Sequence, residues 1–246
     1  MSLPSADELA NGHSLEIDRV LAELEQRPDV VFVQIGAYVG NTDNDPIARC
    51  LSTNLPRFPG SRAVLVEPVK QYFDQLKANY AGLPGAEFVH AAISTTDGEA
   101  TVYRLGVDPV EYGQPEWLRQ CSSIRADRMN ELWDNCESER DYVEAKKFFH
   151  EHCVEETVRS IRLDTLLKTY NLDHVDFLQI DTEGSDYDIL KTVDFSRIRP
   201  TYINYENELL GEDQAACRAM LIAAGYELFD WEVNTLACSI APPSGE

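Results

Sequence analysis

The sequence has few basic residues, and this deficit limits the partners that the protein can bind. It contains 21 Lys and Arg residues against 43 Asp and Glu residues, a formal net charge of -22 over 246 residues. Nucleic acids and anionic membranes are bound through basic patches. The charge therefore argues against both as partners and favours a small molecule. A homo-oligomer is compatible with it.

Three further signals are missing. The six cysteines form no C-x-x-C pair, the N-terminus lacks the charged-then-apolar pattern of a signal peptide, and no run approaches the roughly 18 apolar residues of a membrane span. We therefore expect a cytoplasmic protein with reduced thiols. His150, His152 and Cys153, with Cys136 upstream, fit none of the structural zinc spacings, so a solvated helix rim is the simpler interpretation.

Two phosphate-binding motifs are also absent, although an apolar run ends in two glycines. The segment VVFVQIGAYVG (residues 30–40) is typical of a buried strand that brings bare backbone to a ligand at Gly36 and Gly40. The third glycine of the dinucleotide fingerprint is missing, as are the lysine and hydroxyl of the P-loop. Asp43 and Asp45, which follow, would repel a pyrophosphate at a helix entrance.

A second apolar run, AVLVEPV (residues 63–69), contains an acid and a helix breaker near its end, Glu67 and Pro68. In Rossmann-type sheets a carboxylate at the tip of the second strand binds the hydroxyls of a ribose. The sequence thus predicts a nucleoside site without a phosphate site. S-adenosylmethionine is the common cofactor with that description.

The order of the elements predicts an α/β fold with a parallel sheet. We predict strands at residues 30–35, 63–66, 87–93, 175–180 and 201–207, and helices at residues 15–24, 45–55, 69–80, 185–192 and 214–224. A short strand at 158–162 precedes a helix that Asp164 caps and that runs through Lys168. Successive βα units give parallel strands with right-handed crossovers. Residues 225–240 predict a terminal hairpin, and no linker separates domains, so we expect a single domain over residues 1–246.

A polar, irregular insert is predicted at about residues 106–157. The Asp97-Gly98 hairpin signal and a small strand at 99–103 mark where the chain leaves the sheet, and a charged helix lies at 141–150. Long excursions of this kind are usually lids or substrate walls. A surface helix or an oligomer contact is the alternative. Ser122 and Ser123 either face the site or cap a helix.

Four segments, taken together, resemble the FkbM-type S-adenosylmethionine-dependent methyltransferases over most of the chain. They are FVQIGAYVG (32–40), LVEP (65–68), SIRLDTLL (160–167) running on to DFLQIDTEGSDYDIL (176–190), and YINYEN (202–207). The resemblance implies the Rossmann-like class I methyltransferase fold, a mostly parallel seven-stranded sheet with helices on both faces and an antiparallel C-terminal hairpin strand. Many members have an acid where Gln34 stands, and a Gln carbonyl accepts from the cofactor's amino group without the charge-assisted contribution.

The resemblance also implies which residues bind S-adenosylmethionine. Gly36, Ala37 and Gly40 would shape the methionine pocket, Glu67 would hold the ribose and Ala92 would lie beside the adenine. The full predicted cofactor-binding set is Gln34, Gly36, Ala37, Tyr38, Gly40, Glu67, Pro68, Ala92, Ser123 and Asp181.

Acidic residues follow the fourth and fifth main strands, at Asp181, Glu183 and Glu206. The tips of the first and fourth strands face one crevice at the switch point of such a sheet, so we predict that these carboxylates are catalytic. The alternative is that Asp181 and Glu183 only cap the helix that follows.

A metal site is a further prediction from the same tips. Asp181, Glu206 and Asn207 match, in chemistry and place, the Mg²⁺ ligands of metal-dependent O-methyltransferases, a related class. Oxygen ligands suit a hard cation, which would lower the pKa of a substrate hydroxyl. Without a metal, Glu206 or Glu183 is the candidate general base.

The predicted function is methyl transfer from S-adenosylmethionine to a hydroxyl of a small molecule, such as a sugar or another natural product. The alternative, from a different class, is a binding or scaffold protein that keeps the methyltransferase fold and its nucleoside pocket. Gln34 and the acidic composition are the reasons for it. The two hypotheses differ in whether the protein binds the cofactor and transfers its methyl group.

Overall fold

Ten strands form two sheets in the part of the chain that the computed structural model describes, residues 15–42, 45–126 and 140–240. The strands are β1 (Val31–Ile35), β2 (Arg62–Glu67), β3 (Ala86–His90), β4 (Ala92–Ser94), β5 (Gly98–Leu105), β6 (Cys153–Arg162), β7 (Phe177–Ile180), β8 (Tyr202–Glu206), β9 (Tyr226–Trp231) and β10 (Asn234–Ser239). The central sheet has the order β3-β2-β1-β7-β8-β10-β9. Its first five strands are parallel, and β10 pairs antiparallel with β8 and β9. The predicted mostly parallel seven-stranded sheet with a terminal hairpin is confirmed.

Helices cover both faces of this sheet. The helices of the described residues are α1 (Leu15–Gln26), α2 (Ala48–Arg57), α3 (Lys70–Asn79), α4 (Arg140–His152), α5 (Leu163–Thr169), α6 (Asp186–Leu190) and α7 (Gln214–Ala223), and all except α4 pack on this sheet. Phe32 and Leu65 pack on one face with α1, α2 and α3. Val33 and Val64 pack on the other face with α5, α6 and α7. Burial on both faces explains why these strands are continuous apolar runs rather than alternating ones.

A second sheet, with the order β4-β6-β5, corrects the predicted third strand. The chain breaks at Ala91, so that residues 87–93 form β3 in the central sheet and the start of β4 in the second one. The turn at Asp97-Gly98 closes no hairpin, because β6 lies between β4 and β5. The Asp97 carboxylate instead accepts hydrogen bonds from the backbone N–H of Arg162 and the hydroxyl of Thr165. A local turn signal could not show this long-range pairing.

Several predicted boundaries also differ. Helix α2 begins at Ala48 and passes through Pro56 to Arg57, since a proline in the last turn removes only one helical hydrogen bond. Strand β6 begins at Cys153, five positions before the predicted start at 158, because it pairs with the whole of β5. Asp164 does not cap α5. It lies inside the helix, where its carboxylate is 3.0 Å from the Lys168 ammonium.

The described residues of the insert pack around a small core of their own. Two 3₁₀ helices, Pro109–Tyr112 and Glu116–Arg119, precede the gap, and α4 follows it. Leu118 and Phe149, from the two sides of the gap, lie in one buried cluster with Leu105 of β5. The insert's role as a lid or substrate wall stays a prediction. Within the three described ranges, no helix combines the length and apolar character needed to cross a membrane.

Candidate active site

A cleft opens at the carboxyl ends of β1, β2 and β7, where the strand order reverses. It encloses about 650 Å³, including the solvent at its mouth. Eight of the predicted site residues line it, namely Gly36, Tyr38, Glu67, Pro68, Ala92, Ser123, Asp181 and Glu183. Its apolar walls come from β1, β2, β4 and β5 and include Ile35, Val66, Ile93 and Val102. The sequence therefore brings a carboxylate of β2 and two carboxylates beyond β7 into one cavity.

Gly36 joins two of these strand tips. Its φ is +81°, and a Cβ placed on it would overlap the backbone carbonyl oxygen of Asp181. The N–H of Asp181 in turn donates to the carbonyl of Ile35 at 3.0 Å. The glycine is required here because β1 and β7 approach each other closely at their ends.

Glu67 lines the cleft at the end of β2, and only 4 % of it is exposed. One carboxylate oxygen accepts from the N–H of Tyr38 at 2.9 Å and the other from the N–H of Val69 at 2.8 Å. Burial raises its pKa to about 8, and these two hydrogen bonds oppose the shift. Each oxygen keeps a lone pair that can accept from a ligand hydroxyl.

The acids beyond β7 and β8 form one electrostatic group. Burial, followed by the charges of Asp186 and Asp45, raises the pKa of Asp181 to about 7. Burial and the charge of Asp181 raise the pKa of Glu183, and burial and the charge of Glu183 raise the pKa of Glu206. Asp181 is open to solvent through the cleft, and a cationic ligand beside it would lower its pKa again.

The capping alternative for these acids finds no support among the described residues. Helix α6 begins after Ser185, and its first turn carries Asp186. No hydrogen bond joins the carboxylate of Asp181 or Glu183 to a described N–H of that turn. Both residues line the cleft.

One wall of the cleft comes from the insert. The backbone of Ser123 exchanges two hydrogen bonds with Tyr103 of β5, and its hydroxyl donates to the carbonyl of Glu183 at 2.7 Å. Arg125 continues this attachment, with its guanidinium 2.6 Å from the carboxylate of Asp188. Ser123 also accepts from the N–H of Arg125 at 3.0 Å, so the predicted serine both lines the cleft and shapes a turn.

The other predicted cofactor residues lie outside the cleft wall. Ala37 is buried in the core beside α2, and a Cβ on Gly40 would overlap the ring of Tyr80 on α3. Gln34 is buried on the same face as Phe32, and its Nε2 donates to Asp45 at 3.2 Å. Its Oε1 has no hydrogen-bond partner in the described part of the chain. Strand alternation separates Gln34 from the cleft side, which the sequence order alone did not reveal.

The family follows from a comparison with known sequences. A family model for the methyltransferase FkbM domain matches residues 34–228. The chain belongs to the FkbM methyltransferase family. The resemblance inferred from its motifs is confirmed, and the protein is an S-adenosylmethionine-dependent methyltransferase. No curated protein sequence matches this family member.

Several solved structures are similar to this FkbM domain at low sequence identity. A precorrin-6Y C5,15-methyltransferase from Geobacter metallireducens is 12% identical to this chain, with a TM-score of 0.43. The match covers 91% of this chain and 88% of the Geobacter chain. A fibrillarin from Aeropyrum pernix with natively bound S-adenosyl-L-methionine is 10% identical with a TM-score of 0.43, covering 89% and 73%. An S-adenosylmethionine-dependent O-methyltransferase from Thermotoga maritima is 10% identical with a TM-score of 0.39, covering 98% and 74%.

The predicted Mg²⁺ site of this methyltransferase is not supported. Asn207 does not point at the acids, because its amide donates to the hydroxyl of Thr235 at 2.8 Å. Within the described residues, no group of three or more His, Cys, Asp and Glu side chains is arranged to hold a metal ion. Of the residues considered for zinc, Cys136 lies outside the described ranges, and His152 stacks on Phe148 with ring centroids 4.3 Å apart.

Proposed function

We propose that this methyltransferase transfers the methyl group of S-adenosylmethionine to a hydroxyl of a small molecule, such as a sugar or another natural product. The observation that carries the proposal is that Glu67, Asp181 and Glu183 line one cleft. A ribose-binding acid at one end and a basic carboxylate at the other are what a nucleoside cofactor and a hydroxyl acceptor need together.

The described residues fit the cofactor. Glu67 would hold the ribose, because each of its oxygens has a lone pair left beyond its backbone hydrogen bond. The adenine would lie near Ala92, where the wall is apolar, with Pro68 and Ile93 beside it. At the other end Asp181 would attract the positive charge of the cofactor's amino acid end.

The bound cofactor supplies a methyl carbon that its sulfonium already activates. The chain's own residues must hold the acceptor oxygen in line with that carbon and remove its proton. We assign the proton transfer to Glu183, whose side chain lines the cleft and whose pKa is raised by burial and by Asp181. A carboxylate with a raised pKa is a stronger base than an ordinary one. Glu206, which lies behind the cleft wall, is the second candidate.

The test has two stages. Calorimetry should detect binding of S-adenosylmethionine and S-adenosylhomocysteine, and a set of sugars and other hydroxylated compounds should then be screened for transfer of a labelled methyl group. We expect Glu183→Gln to bind S-adenosylhomocysteine as the parent protein does and to lose transfer, whereas Glu206→Gln should keep more activity. Absence of binding at millimolar cofactor would contradict the proposal and favour a scaffold role. Transfer to amines alone would contradict the hydroxyl assignment.

A further inference from the structure

We propose that Asp186 is a positioning residue of this site, which fixes the tips of β7 and β8 relative to each other through hydrogen bonds from Thr182 and Glu206. The inference rests on the proposed function, because it concerns the two tips that carry the site's acids. Asp186 is not among the residues that line the cleft. It lies at the first position of α6 with no exposed surface.

The contacts of Asp186 reach both strand tips. Its Oδ2 accepts from the Thr182 hydroxyl at 2.7 Å and from the Thr182 N–H at 3.3 Å. Its Oδ1 accepts from the N–H of Glu206 at 3.2 Å. One side chain therefore connects the loop after β7 to the last residue of β8. Three donors on two oxygens suit an ionised carboxylate, which can only accept.

The loop that Asp186 holds needs such a restraint. Glu183 has φ +54° and Gly184 has φ +99°, so the backbone is left-handed at two successive positions. A non-glycine residue in that region persists only when its surroundings hold it there. For Glu183 the described restraints are Ser123, which donates to its carbonyl, and Asp186, which holds the neighbouring Thr182.

The charge of Asp186 acts on the same acids. It is the largest charge effect on the pKa of Asp181, and it also raises the pKa values of Glu183 and Glu206. On the α7 side it raises the pKa of Cys217. Burial raises the pKa of Asp186 itself to about 6. Removing the charge while keeping the shape should therefore lower the pKa of Asp181, an effect that a purely structural side chain would not have.

A neutral isostere separates this role from simple stabilisation. Asp186→Asn must turn its NH₂ group toward the donors of Thr182 or toward the N–H of Glu206, so one attachment is lost. Asp194→Asn is the matched control, because the Asp194 carboxylate also accepts from a backbone N–H and a hydroxyl, both of Ser196, and it lies outside the cleft wall.

The first measurement is hydrogen exchange in the protein without cofactor. We expect the amide that faces the new NH₂ group, that of Thr182 or that of Glu206, to exchange on the order of tenfold faster in Asp186→Asn, the factor expected for losing one buried hydrogen bond. The same amides should be unchanged in Asp194→Asn, and β3 serves as an internal reference. Unchanged exchange at both tips in Asp186→Asn would overturn the inference. This result does not depend on whether the cofactor binds.

The second measurement is the affinity for S-adenosylmethionine as a function of pH. In the parent protein the affinity for this cation should rise as Asp181 ionises near its pKa of about 7. In Asp186→Asn the midpoint should move to lower pH, and the affinity at about pH 8 should fall roughly tenfold. An unmoved midpoint would show a structural role only. If the parent protein does not bind S-adenosylmethionine, the proposed function is contradicted. The role of Asp186 is then tested by the hydrogen-exchange measurement alone.

Thr182 offers a second pair of variants if Asp186→Asn does not fold. Thr182→Val removes the hydroxyl that donates to Asp186, and Thr182→Ser keeps it. We expect faster exchange at Glu206 in the Val variant and restoration of the parent rate in the Ser variant. Equal rates in the two variants would contradict the proposed connection.

Discussion

The backbone carbonyl of Asp181 lies against the Cα of Gly36, so that no side chain fits between the ends of β1 and β7. We expect Gly36→Ala to lower the free energy of unfolding by about 2–6 kcal/mol, because the new methyl group overlaps backbone and the residue must keep a φ of +81°. Urea denaturation followed by circular dichroism measures the change.

Gly82→Ala is the control for that variant. Gly82 has nearly the same φ, +82°, but no atom of the described residues lies within 4 Å of a Cβ placed there. It should therefore show only the backbone cost, about 1–2 kcal/mol. If the two variants lose the same stability, the contact between the strand tips does not decide the requirement for glycine at position 36.

The central sheet and its switch point follow from the sequence for a physical reason. β1, β2 and β7 are buried on both faces, so each is a continuous apolar run that stands out from its surroundings. Parallel pairing with right-handed crossovers then leaves few possible orders. The ends at Gly36, Glu67 and Asp181 meet in one cleft because consecutive parallel strands present their carboxyl ends at the same edge.

The features of the fold and the site that the sequence did not predict depend on contacts between segments distant in the sequence. The pairing of β6 with β4 and β5 joins residues 48 to 68 positions apart, and no local turn signal encodes it. The direction of a side chain at a strand end is equally hidden. Gln34 and Ala37 belong to the same motif as Gly36, yet they point into the core beside α2 and α3. Asp186 resembles any acid in a first helical turn until its three donors are known.

Replacement of Glu67 tests the ribose assignment. Glu67→Gln keeps the size of the side chain but substitutes an NH₂ group for an oxygen that faces the N–H of Tyr38 or Val69. We expect S-adenosylhomocysteine to bind about 10- to 100-fold more weakly, the loss typical of a buried donor left without its acceptor. Glu87→Gln is the control, since Glu87 of β3 is half exposed and pairs with Arg62 of β2. If calorimetry finds that Glu67→Gln binds S-adenosylhomocysteine within twofold of the parent protein's affinity, the assignment is refuted.

Ser123 tests how firmly the insert's wall is attached to the strand tips. Ser123→Ala removes a buried hydroxyl that donates to Glu183 and accepts from Arg125. We expect the free energy of unfolding to fall by about 1–2 kcal/mol and the affinity for S-adenosylhomocysteine to fall with it. The neighbouring Ser122→Ala should change stability by less than about 0.5 kcal/mol. Equal effects of the two substitutions on stability would contradict the proposed attachment.

The pH dependence of stability tests the acids of the cleft as a group. Burial raises the pKa values of Asp186, Asp181 and Glu67 to about 6, 7 and 8, above ordinary values of 3.8, 3.8 and 4.5. Between the two sets of values the folded protein holds more protons than the unfolded chain, so stability decreases as the pH rises. We expect the urea midpoint of the cofactor-free protein to fall steadily from about pH 5 to pH 8.

Two comparisons sharpen that prediction. Glu67→Gln removes the carboxyl with the highest of these three pKa values. The urea midpoint of this variant should therefore decline less between about pH 6 and pH 8 than that of the parent protein. Surface acids with lowered pKa values, such as Asp164 beside Lys168, act in the opposite direction, but their contribution is lost only as the pH falls below about 4. Above about pH 5 these surface acids therefore do not change the stability with pH, and the acids of the cleft do. A midpoint that rises with pH across that window would show that the acids of the cleft are solvated like surface groups.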